Sequence, residues 1–252
     1  MKEESRIYLR FVHYVEARMN KTDRYIPALG VELLTPLYDP LLRWFMRESR
    51  FKRHLIRQAN IQKELRVLDL GCGTGTLTVL LKQFHPEAEV FGLDGDRSIL
   101  EIARTKAVKA GVDLNLDLGM AFDLPYPDAC FDRVLSSLVF HHLTKERKQL
   151  ALKEVYRVLR PGGELHLADF GKPHNSLAFL ISLIVRRFEE TTENIQGLIP
   201  EMLAEAQFAQ VQETAHYMTI FGTLSLFQGR KNEEGANIYE EEIQEAPRRI
   251  GE

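Results

Sequence analysis

Cysteine is nearly missing from this chain: Cys72 and Cys130 are the only two in 252 residues. Two thiols cannot staple a small secreted scaffold, so a reducing, cytoplasmic setting is expected. Long hydrophobic runs are missing too. The greasiest stretch, LAFLISLIV from Leu177 to Val185, is too short to span a bilayer and runs into Arg186 and Arg187. The opening MKEESRIYLR is charged and lacks an apolar region, so no secretory leader is expected. An excess of positive charge is also absent. The 33 Lys and Arg against 36 Asp and Glu give −3, which argues against a protein built mainly to hold nucleic acid. Neither internal repeats nor low-complexity tracts occur.

What is there reads as ordinary globular composition, 44% hydrophobic and 27% charged, and long enough for one large domain or a domain with an appendage. Charge is uneven along it. Arg43, Arg47, Arg50, Lys52, Arg53 and Arg57 gather early and read as a solvated helix face rather than a nucleic-acid patch. Glu233, Glu234, Glu240, Glu241, Glu242 and Glu245 make the end acidic, and residues 232–252 are expected to be a flexible tail. Residues 1–60 read as helices broken by Pro27, Pro36 and Pro40, a helical lid. From Leu65 the texture alternates. Apolar runs RVLDL, EVFGLD, DLNLDLG, RVLSSLVF and ELHLADF take turns with helical GTLTVLLKQF, SILEIARTKAVKAG and RKQLALKEVYRVLRPGG. That alternation predicts a doubly wound, Rossmann-like α/β domain over 61–231, its sheet mainly parallel with helices on both faces. A helical insertion is expected over 172–208. AQVQETAHYMTIFGTLSLFQGRK follows it as an antiparallel terminal hairpin, bringing the sheet to seven strands.

The densest signal is VLDLGCGTGTL, where Gly71, Gly73 and Gly75 alternate at the end of the first strand. A strand, a glycine turn and a helix N-terminus present backbone N–H groups and a positive dipole end to a ligand. A P-loop needs Gly-Lys-Ser/Thr, which GCGTGTL lacks. A dinucleotide fold wants G-x-G-x-x-G, whereas the spacing here is G-x-G-x-G. The third reading is S-adenosylmethionine. Asp69, inside the apolar strand, is costly to bury without a partner such as a ligand ammonium. Asp94 ends the second strand, where such folds put an acid on ribose hydroxyls, as NAD enzymes also do.

VLDLGCGTGTL, FGLDGD, LPYPDACFDRVLSSLVFHHL and VLRPGGELHLADFG, in that order, resemble the successive motifs of the class I S-adenosylmethionine-dependent methyltransferases. The likeness is strong over Leu65 to Phe170 and points to the small-molecule branch that holds the ubiquinone and menaquinone C-methyltransferases. It implies that Gly71, Cys72, Gly73 and Gly75 approach the methionine and ribose, with Asp69 at the amino end. Asp94 would take the ribose hydroxyls, with Gly95 leaving room beside it. The family often has an acid before the position of Ala121. Met120 stands here instead, leaving the adenine to packing and to the backbone of Ala121 and Phe122. Ser137 and Leu138 would line the methionine side. RPGG, Arg160 to Gly163, is read as a structural turn feeding the fifth strand.

The resemblance implies methyl transfer to a small, hydrophobic acceptor under a lid made by the N-terminal helices and the insertion. His141 is the candidate base, and Asp169 faces the same edge. No metal is expected, because the fourth strand ends in Ser136 and Ser137 rather than carboxylates. A peripheral membrane contact and a homodimer are left open. The competing readings are a non-catalytic S-adenosylmethionine-binding regulatory subunit and an NAD-dependent oxidoreductase.

Overall fold

A computed structural model of the chain describes residues 48–185 and 191–233. Most of the expected lid and nearly all of the expected acidic tail lie outside these residues. The first described element, α1 (Glu48–Gln58), is followed by β1 (Arg66–Leu70), α2 (Thr76–Phe84), β2 (Glu89–Asp94), α3 (Arg97–Ala110), β3 (Asn115–Leu118) and β4 (Phe131–Ser137). A 3₁₀ turn (Phe140–His142) leads to α4 (Lys145–Val158) and β5 (Leu159–Phe170). Then come α5 (Ser176–Val185), α6 (Thr192–Gln196), α7 (Ile199–Glu205), β6 (Ala209–Thr219) and β7 (Gly222–Arg230).

The strands form a seven-stranded sheet in the order β3-β2-β1-β4-β5-β7-β6. Its first five strands run parallel, and β7 joins β5 antiparallel. Side chains alternate across a strand, and each strand here splits its apolar residues between two cores. Leu68, Val134, Leu167 and Phe227 meet α4 and α7 through Leu152, Val155, Met202 and Leu203. Val67, Leu135, Ala168 and Leu226 meet α1 and α2 through Phe51, Leu55, Leu77 and Leu81. Helix α1, at the end of the expected lid, therefore packs as part of the sheet's own core. Its Lys52 is buried as well, unlike the exposed Arg50, Arg53 and Arg57 of the expected solvated face.

Local sequence explains the helix ends. Asp96 caps α3 by accepting from the backbone N–H groups of Ser98 and Ile99, and Gly111 closes it in a left-handed turn. Thr144 caps α4. The Arg160–Gly163 segment differs from its expected role. It bulges within β5, because the chain pairs with β4 on both sides of it, Phe131 with Leu159 and Arg133 with Glu164. The strand order reverses between β1 and β4, so a crevice opens beyond their carboxyl ends, where open α/β sheets bind ligands.

Candidate active site

The loop after β1 reaches into that crevice. At Gly71 (φ +69°) any Cβ would stand 2.3 Å from Val139 Cγ2, so only glycine lets the loop lie against the end of β4. Gly73 (φ +54°) has nothing within 4 Å of the same position and faces open space. Gly75 begins α2.

The expectation of free loop N–H groups needs correction. Gly71 and Cys72 both donate to Leu93 O, at 2.8 and 2.9 Å, and Gly75 donates to Cys72 O at 2.9 Å. Gly73 donates to Asp94 Oδ2 at 2.9 Å. The amides of Gly71, Cys72 and Gly73 fasten the loop to β2 and that of Gly75 closes the loop on itself, because a buried N–H must be paired whether or not a ligand is bound. Cys72 turns its thiol toward β2, where a Cβ on Gly92 would meet Sγ at 3.1 Å. Burial pushes that thiol well above its ordinary pKa, so Cys72 offers backbone rather than sulfur chemistry.

Asp69 is fully buried. Its Oδ2 accepts from Thr78 Oγ1 of α2 at 2.6 Å, and its Oδ1 has no partner. Burial lifts its pKa from 3.8 to about 6, against the pull of the Thr78 bond and the Lys52 ammonium, and with a push from Asp94. A buried carboxylate with an idle oxygen is costly unless a cation meets it. At the end of β2, Asp94 is held by Gly73 N and, on Oδ1, by Asp96 N at 3.0 Å. Burial raises its pKa despite these backbone bonds. The room beside Gly95 is partly taken, since Met120 Sδ would lie 2.9 Å from a Cβ there. Ala121 is buried, and half-buried Phe122 lies under the Arg147 guanidinium at 4.9 Å.

Beyond β4 the backbone is strained. Leu138 holds φ +60°, uncommon for a branched residue, while its N–H bonds Ala168 O at 2.8 Å. Ser137 Oγ is buried without a partner. This bend turns the next three residues onto Asp169 of β5. Its Oδ2 accepts from Val139 N at 3.1 Å and Phe140 N at 2.8 Å. Its Oδ1 lies 2.9 Å from His141 Nδ1 and also accepts from Asn194 Nδ2 of α6 at 3.3 Å. Burial pushes the Asp169 carboxyl up, but the His141 ring and the backbone bonds outweigh it and hold the pKa below the ordinary value. An ionised acceptor holds a proton on Nδ1, and Nε2 has no hydrogen bond to a described residue. Asp169 has no exposed surface, and its two oxygens are taken by the backbone N–H groups of Val139, Phe140 and Phe170, by Asn194 and by the His141 ring.

Residues 67–163 match a family model described as a methyltransferase domain. The chain is 36% identical over 168 residues to the demethylmenaquinone methyltransferase of Thermus thermophilus, covering 66% of this chain and 74% of that one. The chain belongs to the class I S-adenosylmethionine-dependent methyltransferases. As a member it is an enzyme whose cofactor is S-adenosylmethionine, and it is related to the quinone methyltransferase branch. The demethylmenaquinone methyltransferase of Deinococcus radiodurans is 29% identical over 219 residues, 79% of this chain and 89% of that one. The YcgJ protein of Bacillus subtilis shares the fold, with TM-score 0.61 and 21% identity over 73% of this chain and 99% of that one.

The methyltransferase's crevice fits its cofactor's chemistry. The idle Asp69 oxygen suits an ammonium, and the open face of Gly73 suits a close-lying chain. Three contributors escaped the sequence reading: Thr78, Lys52 and Asn194. Thr78 sits nine residues after Asp69 and carries no motif. Asn194 lies in the insertion, where no pattern marks it.

Proposed function

We propose that this methyltransferase moves a methyl group onto a small, hydrophobic acceptor, with His141 as the base. The observation that carries this reading is the buried His141–Asp169 pair at the same sheet edge as Asp69 and Asp94. Asp69 holds the cofactor's amino end and Asp94 its ribose hydroxyls. Gly71, Gly73 and Gly75 supply close backbone, Cys72 and Gly95 line the same side, Ala121 and Phe122 hold the adenine, and Ser137 and Leu138 line the methionine. When bound, S-adenosylmethionine supplies an electrophilic methyl on a sulfonium. The chain contributes position and proton handling. Asp169 keeps the Nδ1–H tautomer, and Nε2 of His141 takes the proton that an acidic acceptor must lose as it is methylated.

Hydrophobicity of the acceptor is supported by the apolar surface next to this edge. Leu177, Phe179 and Leu180 of α5 and Ile220 and Phe221 of the β6–β7 turn are all exposed. The two relatives compared above are named for a demethylmenaquinone, an acceptor of this kind. Among the described residues no helix is long and apolar enough to cross a membrane. We take the chain to work in the cytoplasm, both thiols being free and buried. A greasy acceptor would reach it at a membrane surface.

The test is transfer of radiolabelled methyl to a reduced demethylmenaquinone with a shortened tail, against a panel of polar phenols and amines. Product on the quinol alone supports the reading; product on polar acceptors alone overturns it. A His141→Ala protein with undiminished turnover would remove the base.

A further inference from the structure

Edge strand β6 carries a side-chain cluster that methyl transfer does not use. Residues three apart on a regular strand face opposite ways, because side chains alternate with period two. Glu213 and His216 depart from this. The register slips between the pairs Glu213–Phe227 and Ala215–Leu226, which makes Thr214 an extra residue in a β-bulge. Thr214 turns to the α1 side, its hydroxyl 2.6 Å from Gln58 Oε1. Ala215 and Tyr217 pack on that side as well. Glu213 and His216 are thereby left together on the other face.

There they meet His174, which comes from the loop between β5 and α5. His174 Nε2 lies 3.3 Å and His216 Nδ1 3.8 Å from the same oxygen, Glu213 Oε1. The two imidazoles stack at 3.8 Å with 12° between their planes. One donor atom from each residue lies within 4.8 Å of the others, and all three side chains are exposed. Two histidines and one carboxylate are the donor set of a borderline divalent ion. Zinc bonds of about 2.0–2.1 Å put tetrahedral donors roughly 3.3 Å apart, which the Glu213–His174 pair already matches. His216 closes the set by a turn of an exposed ring, and a fourth position stays open to water.

We propose that His174, Glu213 and His216 bind one divalent transition ion of the Zn2+ class. The ion clips the loop that feeds the helical insertion to the edge of the sheet. The cofactor residues lie elsewhere, so this inference stands apart from the methyl acceptor and from His141.

Untagged, chelator-stripped protein titrated calorimetrically with ZnCl2, and with MgCl2 as control, tests it. The expected result is one Zn2+ per chain, no Mg2+ heat, and slower amide exchange over residues 172–175 with zinc present. Loss of an outer partner of a metal site costs about 10–100-fold in affinity. Replacing a ligand, by His174→Ala, His216→Ala or Glu213→Gln, should cost at least that much, and His85→Ala nothing. Unchanged circular dichroism shows that the variants fold. Absence of stoichiometric zinc binding in the wild type overturns the proposal. So does binding that survives the His174→Ala/His216→Ala double variant.

Discussion

Asp69 is maintained at a cost to the ligand-free fold. Its folded pKa of about 6 stands above its ordinary 3.8. The native state therefore holds a proton that the unfolded chain releases between those values, and stability falls as pH rises through that window. A lift of this size corresponds to about 3 kcal/mol between the two ionisation states. Asn keeps an oxygen for the Thr78 hydroxyl without the charge. Urea unfolding of ligand-free Asp69→Asn is expected to show a gain of up to about 3 kcal/mol at pH 7.5 and none near pH 3.5. The same variant should lose affinity for S-adenosylhomocysteine, and wild-type affinity should weaken as pH drops below 6. Asp94→Ala should weaken that affinity at least about 10-fold, because a hydrogen bond to a charged group contributes about 1.5–3 kcal/mol. At His141, a base lost by Ala substitution should lower kcat by about 10²–10⁴-fold with S-adenosylhomocysteine binding intact. Asn194→Asp sets a second carboxylate against Asp169 and should move the acidic limb of the rate profile upward in pH, read from kcat at several pH values.

Elements decide how the residues meet. Lys148 of α4 has no exposed side-chain surface and binds Glu193 Oε2 of α6 at 2.8 Å. Removing one partner of a buried pair costs about 3–5 kcal/mol, and because Glu193 is partly hydrated, Lys148→Ala should fall at the low end, measured by urea unfolding. Leu55 of α1 is fully buried, so Leu55→Ala should cost about 2–5 kcal/mol. Helices α1 and α6 also mark where sequence reading thins out. The β1 loop and the end of β2 are legible because glycines and acids sit at fixed chain spacings there. Helix α1 was read as lid because Pro27, Pro36 and Pro40 punctuate the chain before it. Nothing in its pattern says which surface its stripe of Phe51, Leu55 and Ile56 buries. His141 and Asp169 both stand out in the sequence, yet their pairing depends on β4 lying beside β5 and on the strained turn at Leu138. Asn194 comes from a third element, and no spacing could foretell it. The β6 bulge is likewise a register event, invisible until β7 is in place.

At the scale of the whole molecule, cofactor and stability are linked by mass action. S-adenosylhomocysteine at 100 times its Kd should add about 2.7 kcal/mol. With about 2–4 °C per kcal/mol for a chain of this size, the melting midpoint should rise by roughly 5–10 °C. The sheet's strand order has a further consequence. Strand β7 is the last described strand to be synthesised, yet it lies between β5 and β6, and its Leu224, Ser225 and Leu226 are fully buried. Five strands can assemble as the chain emerges from the ribosome, but β5 keeps an open edge, and α1 and α2 an incomplete floor, until Arg230 is free. The nascent protein must wait with that edge bare, which makes the interval before β7 emerges the time when a chaperone matters most to it.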